Sequence, residues 1–307
     1  MSQPQKGVCA EPNLHALYLL FNIIDDDAAK VRRKLARMLD IFDFYDEDHY
    51  EAMVSGMVAI GSSYWPELYP GPMPRRLAPF PDVRSEDRVA PAEPFDLFIQ
   101  IRADRADVCH AIGMEITALL GEQAELMEQV KGFRYMDGRD LTGFVDGADN
   151  PKGMKKFDVA LVGDEDEDFA GGSYVHFQRF RHDMDRWSSL SVAEQEMIMG
   201  RYKADNRPLP PTQMPAFAHA RRCSLRDSHG EPIGLLTQNM PYGDMKVQGL
   251  MMVACSRLPE VYRHLLQSRI IGDKQGHYDK LLDYSRAEAG AAFFAPSASF
   301  IKRHKGG

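Results

Sequence analysis

The two halves of this 307-residue chain run through the same order of elements, and that order limits the fold more than any other feature of the sequence. His15 to Ile23 is an apolar run of strand length, ended by Asp25, Asp26 and Asp27. A helix follows over about 28–42, with Val31, Leu35, Met38, Leu39 and Phe42 at spacings of three and four and Lys30, Arg32, Arg33, Lys34 and Arg37 on a solvated face. Strands are expected over 53–65 and 95–102, a helix over 106–120 and a closing strand over 133–136. Residues 66–94, rich in proline and glycine, predict a long crossing loop.

In the second half, strands are expected over 173–180, 233–238, 248–254 and 291–294, with helices over 192–199 and 259–270. The acidic run Asp164 to Asp168 reads as a solvated loop near the boundary. Strand, helix, strand, strand, helix, strand in each half predicts an α+β protein of two ferredoxin-like units, each an antiparallel sheet with helices on one face. The units expected are residues 1–150 and 151–307, and no sequence repeat accompanies the repeated order.

Composition narrows the functional classes. With 44% hydrophobic and 27% charged residues the chain can bury one large core or two medium ones. A formal net charge of -8 argues against nucleic acid as a general partner, since phosphate binding needs a basic face. No run approaches the roughly 18 apolar residues of a membrane-spanning helix, and Met1 to Gly7 carries neither a basic stretch feeding an apolar segment nor a twin-arginine signal, so a cytoplasmic location is expected. Cys9, Cys109, Cys223 and Cys255 lack the spacing of a zinc ribbon or redox pair and read as buried small hydrophobes.

The candidate chemistry centres on Gly143-Phe144-Val145-Asp146-Gly147, followed by Asn150-Pro151. An acid between glycines, beside apolar Phe144 and Val145, can be turned sharply and partly desolvated, although Gly, Asp and Asn clusters also make ordinary surface turns. This segment resembles the Gly-x-x-Asp-Gly signature of the dye-decolourising peroxidases, a family of haem enzymes. Further segments agree in order and spacing: Gly171-Gly172-Ser173-Tyr174, Gly200-Arg201-Tyr202-Lys203, Ala218-His219-Ala220-Arg221, Asn239-Met240-Pro241-Tyr242-Gly243 and Phe293-Phe294-Ala295-Pro296-Ser297.

The resemblance, which is to the cytoplasmic, B-type-like members, implies a dimeric α+β barrel built from the two units. It implies one haem b, with His219 as the axial ligand of the iron and Gly147, Ala148 and Asp149 lining the cofactor. Asp283 matches a position where some relatives carry a carboxylate against the ligand histidine, which would strengthen its donation to iron. Asp146 would move a proton from the iron-bound peroxide oxygen to the leaving oxygen, with Asn239 beside it. The partners implied are hydrogen peroxide and small aromatic reductants such as phenols or dyes, and a homo-oligomer, dimer or higher, is expected.

The chain departs from the family pattern at one position. Relatives carry an arginine two residues before Asn239, and here that residue is Thr237. A single neutral hydroxyl cannot replace a fixed positive charge where negative charge develops. Three readings follow: a peroxidase, weakened by that change; a haem-binding or haem-handling protein with little turnover; or a structural module without cofactor. Met251 and Met252 are expected on the next strand, as core filler or as oxidisable neighbours of the haem. Trp187, Tyr135, Tyr174 and Tyr242 are candidates for surface relay of oxidising equivalents, with none singled out.

Overall fold

The computed structural model of the chain describes residues 2–227 and 229–306. Its strands are β1 (His15–Ile23), β2 (Ser55–Gly61), β3 (Arg84–Ser85), β4 (Arg88–Val89), β5 (Leu97–Ala103), β6 (Ala124–Phe133), β7 (Ser173–His182), β8 (Leu236–Thr237), β9 (Met240–Gly243), β10 (Gln248–Ser256) and β11 (Ser285–Ala295). The helices are α1 (Ala28–Asp48), α2 (Trp65–Leu68), α3 (Ala106–Leu120), α4 (Lys155–Ala160), α5 (Met184–Ser188), α6 (Val192–Met199), α7 (His219–Cys223), α8 (Glu260–Ile270) and α9 (Ala298–Arg303). The α+β class, the antiparallel pairing and the ferredoxin-like order of elements are all present.

The expected barrel made from two separate sheets is corrected. Strands of both halves belong to one nine-stranded sheet in the order β7-β11-β2-β5-β1-β6-β9-β10-β8, with β10 also pairing β7. The halves are joined by short seams: β11 meets β2 at two residue pairs, Phe293 with Gly61 and Phe294 with Ile60, and β6 meets β9 only where Gly132 lies opposite Tyr242. Among the described residues the two-residue β8 pairs β10 alone. With seams of one and two residue pairs between the halves, the sheet is not closed into a barrel of continuous ladders.

Three apolar layers follow from the period-two alternation of the strands. Tyr18 and Leu20 of β1, Phe98 of β5, Phe177 of β7, Val253 of β10 and Phe293 of β11 point to a common interior between the halves. On the opposite face, Leu17, Leu19 and Phe21 pack under Val31, Leu35 and Leu39 of α1 and Ile112 and Ile116 of α3. In the second half, Phe180, Met252 and Ala254 pack under Tyr262, Leu265 and Leu266 of α8. Met251 therefore faces the interior and Met252 faces α8, and both are buried.

Element bounds moved where the sequence pattern is mixed. Of the closing strand expected over 133–136 only Phe133 lies in a strand, as the last residue of β6, whose outer half alternates half-buried Leu126 and Glu128 with exposed Glu125, Met127 and Gln129. The acidic run expected as a solvated loop is a 3-10 helix from Asp164 to Phe169. In it Asp166 is buried and accepts from the Arg75 backbone N–H at 2.8 Å, while Glu165 pairs with Arg257.

Candidate functional site

The loop from Asp140 to Pro151 is shaped by two glycines in the left-handed region, Gly143 at φ +89° and Gly147 at φ +64°, where a side chain would be strained. Phe144 between them is buried and lies edge-on to Trp187, with ring centroids 6.2 Å apart. Trp187 Nε1 donates to the Thr142 carbonyl at 2.9 Å, and Arg139 donates to the Gly143 carbonyl at 2.8 Å. Asp140, also buried, accepts from the Thr142 hydroxyl at 2.7 Å and bonds His182 Nε2 at 3.1 Å, and His182 Nδ1 bonds Ser285 at 2.9 Å. The loop is thereby tied to β7 and β11.

This frame holds Asp146 half-buried, with Oδ1 accepting from Asn239 Nδ2 at 2.9 Å. Desolvation raises its carboxyl to about 6; the charge of Asp140 adds to the rise, while Asn239 and His219 oppose it. A carboxyl poised there exchanges a proton readily near neutral pH. The Asn239 amide oxygen, Oδ1, is buried without a partner among the described residues. Among buried polar atoms such an orphan needs a ligand or water to satisfy it.

His219 is the first residue of α7 and is half-buried. Its Nδ1 lies 2.8 Å from Asp279 Oδ2, which fixes Nδ1 as the donor and leaves Nε2 as the free lone pair. The nearest polar contact to Nε2 is the Cys223 sulfur at 3.6 Å. Burial lowers the basicity of the imidazole, but Cys223 and Asp279 outweigh it and raise His219 to about 10, so near neutral pH Nε2 carries a proton that a metal would displace to reach the lone pair. Asp279 is fully buried and also accepts from Arg269 Nε at 2.7 Å and from the Leu281 backbone N–H at 3.1 Å. Burial works against its charge, yet His219 and Arg269 together hold its carboxyl well below the usual carboxylate range. His219, Cys223 and Asp279 place their ligand atoms within 4.8 Å of one another.

Asp283 does not touch His219. Its carboxylate takes the Tyr278 hydroxyl at 2.9 Å and Lys280 Nζ at 2.6 Å, and Asp279, four residues earlier, occupies the place beside the imidazole. A short 3-10 turn over Lys280–Asp283 separates the two acids and turns their side chains to different partners. Asp149 is exposed and forms a two-bond pair with Arg201 at 2.8 and 2.6 Å, whereas Gly147 and Ala148 remain half-buried beside Asp146. Thr237 is bound to Asn150: its backbone N–H and hydroxyl donate to Asn150 Oδ1 at 2.9 and 3.0 Å, and Asn150 Nδ2 donates to its carbonyl at 2.8 Å.

Asp279 and Arg269 belong to none of the sequence motifs, and Asn150 stands in one without a role assigned to its side chain. Arg269 lies on the apolar stripe of α8 with Val261, Tyr262, Leu265, Leu266 and Ile270, and an arginine buried on such a stripe requires a carboxylate. That signal pointed to a buried acid, although not to which one. A cleft of about 1650 Å³ opens nearby, lined among others by His182, Arg269, Asp283 and Tyr284; Asp146, Asn239 and His219 are not part of its wall.

The residues fit a haem. An imidazole with one nitrogen locked by a carboxylate offers the other to a metal, Asp146 lies near enough for the charge of His219 to act on its carboxyl, and the buried amide oxygen of Asn239 beside that carboxyl lacks a partner among the described residues.

Comparison with known proteins agrees with this geometry. Residues 5–134 match the family model described as Dyp-type peroxidase, N-terminal, and residues 137–300 match Dyp-type peroxidase, C-terminal. The chain is similar to a dye-decolorizing peroxidase of Mycolicibacterium paratuberculosis, 36% identical over 301 residues, covering 97% of this chain and 85% of that protein. It is similar to the encapsulated DyP-type peroxidase of Mycobacterium smegmatis, at 35% identity and a TM-score of 0.95, with 98% of each chain covered. Rhodococcus jostii DypB, solved in complex with heme as a variant with one arginine replaced by leucine, is similar at 34% identity and a TM-score of 0.94, with 97% of each chain covered.

Proposed function

Because the chain belongs to the Dyp-type peroxidase family, we propose that it is a haem b peroxidase in which His219 holds the iron and Asp146 carries the proton during peroxide cleavage. The observation that carries the assignment is the Asp279–His219 bond, which leaves Nε2 of the half-buried imidazole as the nitrogen to ligate while Asp146 sits near enough to feel its charge. The haem, when bound, supplies the redox chemistry that takes two electrons to peroxide and then oxidises the reductant.

The chain's own residues do the rest. Asp279, fixed by Arg269, orients His219 and increases its electron donation. Asp146, ionised above about pH 6, accepts the proton of incoming peroxide at a carboxylate oxygen and returns it to the departing oxygen as water forms. Asn239 holds that carboxylate in one orientation and offers its free amide oxygen to a peroxide O–H. Gly147 and Ala148 line the cofactor without bulk, and Asp149, turned to Arg201, contributes at the rim.

Thr237 stands in the place of the arginine that relatives present to peroxide. Its hydroxyl is engaged by Asn150, so it offers no charge and no spare donor to the pocket. Peroxide cleavage is then slow for this family, with phenolic or dye-like aromatics as reductants. The chain reads as two units, 1–150 with the acid and 151–307 with the iron ligand, of a cytoplasmic, B-type-like homo-oligomer. Among the described residues no helix is long and apolar enough to cross a membrane.

Haem titration followed by absorption tests the assignment. The wild type should bind one haem per chain with a histidine-ligated spectrum, and His219→Ala should lose stoichiometric binding or change ligation. An unaltered spectrum in the variant would refute it.

A further inference from the structure

β8 is two residues long and has a ladder partner on one side only, where Leu236 and Thr237 face Cys255 and Ala254 of β10. Among the described residues no strand lies on its open side. The Asn150 side chain stands there instead, accepting from the Thr237 N–H at 2.9 Å and donating to the Thr237 carbonyl at 2.8 Å, as a neighbouring strand would do, while its oxygen also takes the Thr237 hydroxyl at 3.0 Å. Asn150 is itself fixed in the acid loop, where its backbone N–H donates to the Gly147 carbonyl at 3.1 Å and its Nδ2 lies against the face of Gly147.

The next residue, Gln238, points to the interior, where its amide donates to the carbonyls of Gly7 and Val8 at 2.9 and 2.6 Å and accepts from Gln100 at 2.5 Å. Alternation then returns Asn239 to the side of Thr237 and brings its Nδ2 to Asp146. The segment 237–239 is thus held from outside by Asn150 and from inside by Gln238.

We infer that Asn150 is a positioning residue: by taking the place of a missing strand beside Thr237, it docks β8 onto the acid loop and sets the Asn239 amide on the Asp146 carboxylate. The inference rests on the peroxidase reading only for its consequence in turnover, because the geometry concerns the acid's hydrogen bond alone. The groups that face Asp146 are Asp140 on its own loop, Asn239 after β8, His219 on α7 and Tyr18 on β1. Of these, Asn239 is the one whose position depends on Asn150.

The test is a double-mutant cycle on the haem-loaded protein with Asn150→Ala, Asn239→Ala and the pair. Two readouts are followed against pH: the carboxyl C=O stretch of Asp146 by infrared difference, identified by its loss in Asp146→Asn, and the rate of reaction with hydrogen peroxide. Losing a hydrogen bond to the charged carboxylate raises its pKa, so Asn150→Ala should move the infrared midpoint upward by about one unit. Asn239→Ala should do the same, and the pair should shift no further than Asn239→Ala alone. Thr237→Val, which removes one of the three bonds and keeps the shape, should move the midpoint in the same direction by less, and it decides the matter if Asn150→Ala does not fold. An unmoved midpoint in these variants, or a full extra shift from Asn150→Ala in the Asn239→Ala background, would overturn the inference. If the infrared midpoint shifts and the peroxide rate ignores it, Asn150 keeps its positioning role and Asp146 loses its assignment as the proton carrier.

Discussion

Replacing Asp146 with asparagine should make the protein more stable while making it a poorer peroxidase. Burial, the main cause, raises the carboxyl from 3.8 to about 6 in the folded chain. The folded state therefore binds this proton more tightly than the unfolded state does, and at high pH it must hold a charge in a place that favours the neutral form. A difference of about two units corresponds to about 3 kcal/mol at about 1.36 kcal/mol per unit. That cost is fully present above about pH 6, shrinks as the pH falls and vanishes below the unfolded value near 4. A neutral amide of the same shape does not carry it and can still accept from Asn239. Urea denaturation at pH 8, with both proteins at equal haem loading because bound ligand adds its own stability, should show Asp146→Asn more stable by up to about 3 kcal/mol. At pH 4 the difference should shrink to about 0.5 kcal/mol. No gain at pH 8, or the same gain at both pH values, would refute desolvation of Asp146 as the source of its raised pKa.

Two further outcomes separate neighbouring residues. Asp279→Asn should alter the iron–histidine stretching frequency by weakening donation from His219 and should destabilise the fold by about 3–5 kcal/mol through the unpaired charge of buried Arg269, whereas Asp283→Asn should leave that frequency unchanged; resonance Raman and urea denaturation read the two. Thr237→Arg, which keeps both backbone bonds to Asn150 and adds a charged donor, should speed the peroxide reaction by about 100-fold, as a restored donor of about 2.7 kcal/mol would; stopped-flow mixing measures it, and an unchanged rate would show that the native site does not need the charge.

Strands with continuous apolar patterns, such as β1 and β5, were legible because both of their faces are covered, one by the interior and one by α1 and α3. β6 was largely missed because exposed Glu125, Met127 and Gln129 alternate with Leu126 and Glu128 that are only half-buried, a pattern that short windows do not separate from loop. The two-residue β8 leaves almost no periodic trace, and its outer partner is a side chain, which no strand pattern encodes. The single sheet was hidden for a related reason: the seams between halves rest on one and two residue pairs. At the site, Asp146, His219 and Asn239 came from short motifs with fixed order. Asp279 did not, since choosing it over Asp283 depends on how a 3-10 turn aims two acids four residues apart.

In the proposed mechanism Asp146 moves the proton, and the rate–pH profile of the protein tests that role most directly. The second-order rate constant for reaction with hydrogen peroxide should be measured from pH 4.5 to 8 in wild type and Asp146→Asn at equal haem loading. With a carboxyl titrating at about 6, the wild-type rate should rise by about tenfold from pH 5 to pH 7 and then level, because only the ionised form accepts the proton. Asp146→Asn should lose that inflection and react about 100-fold or more slowly at pH 7. A variant that keeps the wild-type rate and the same inflection would contradict the account.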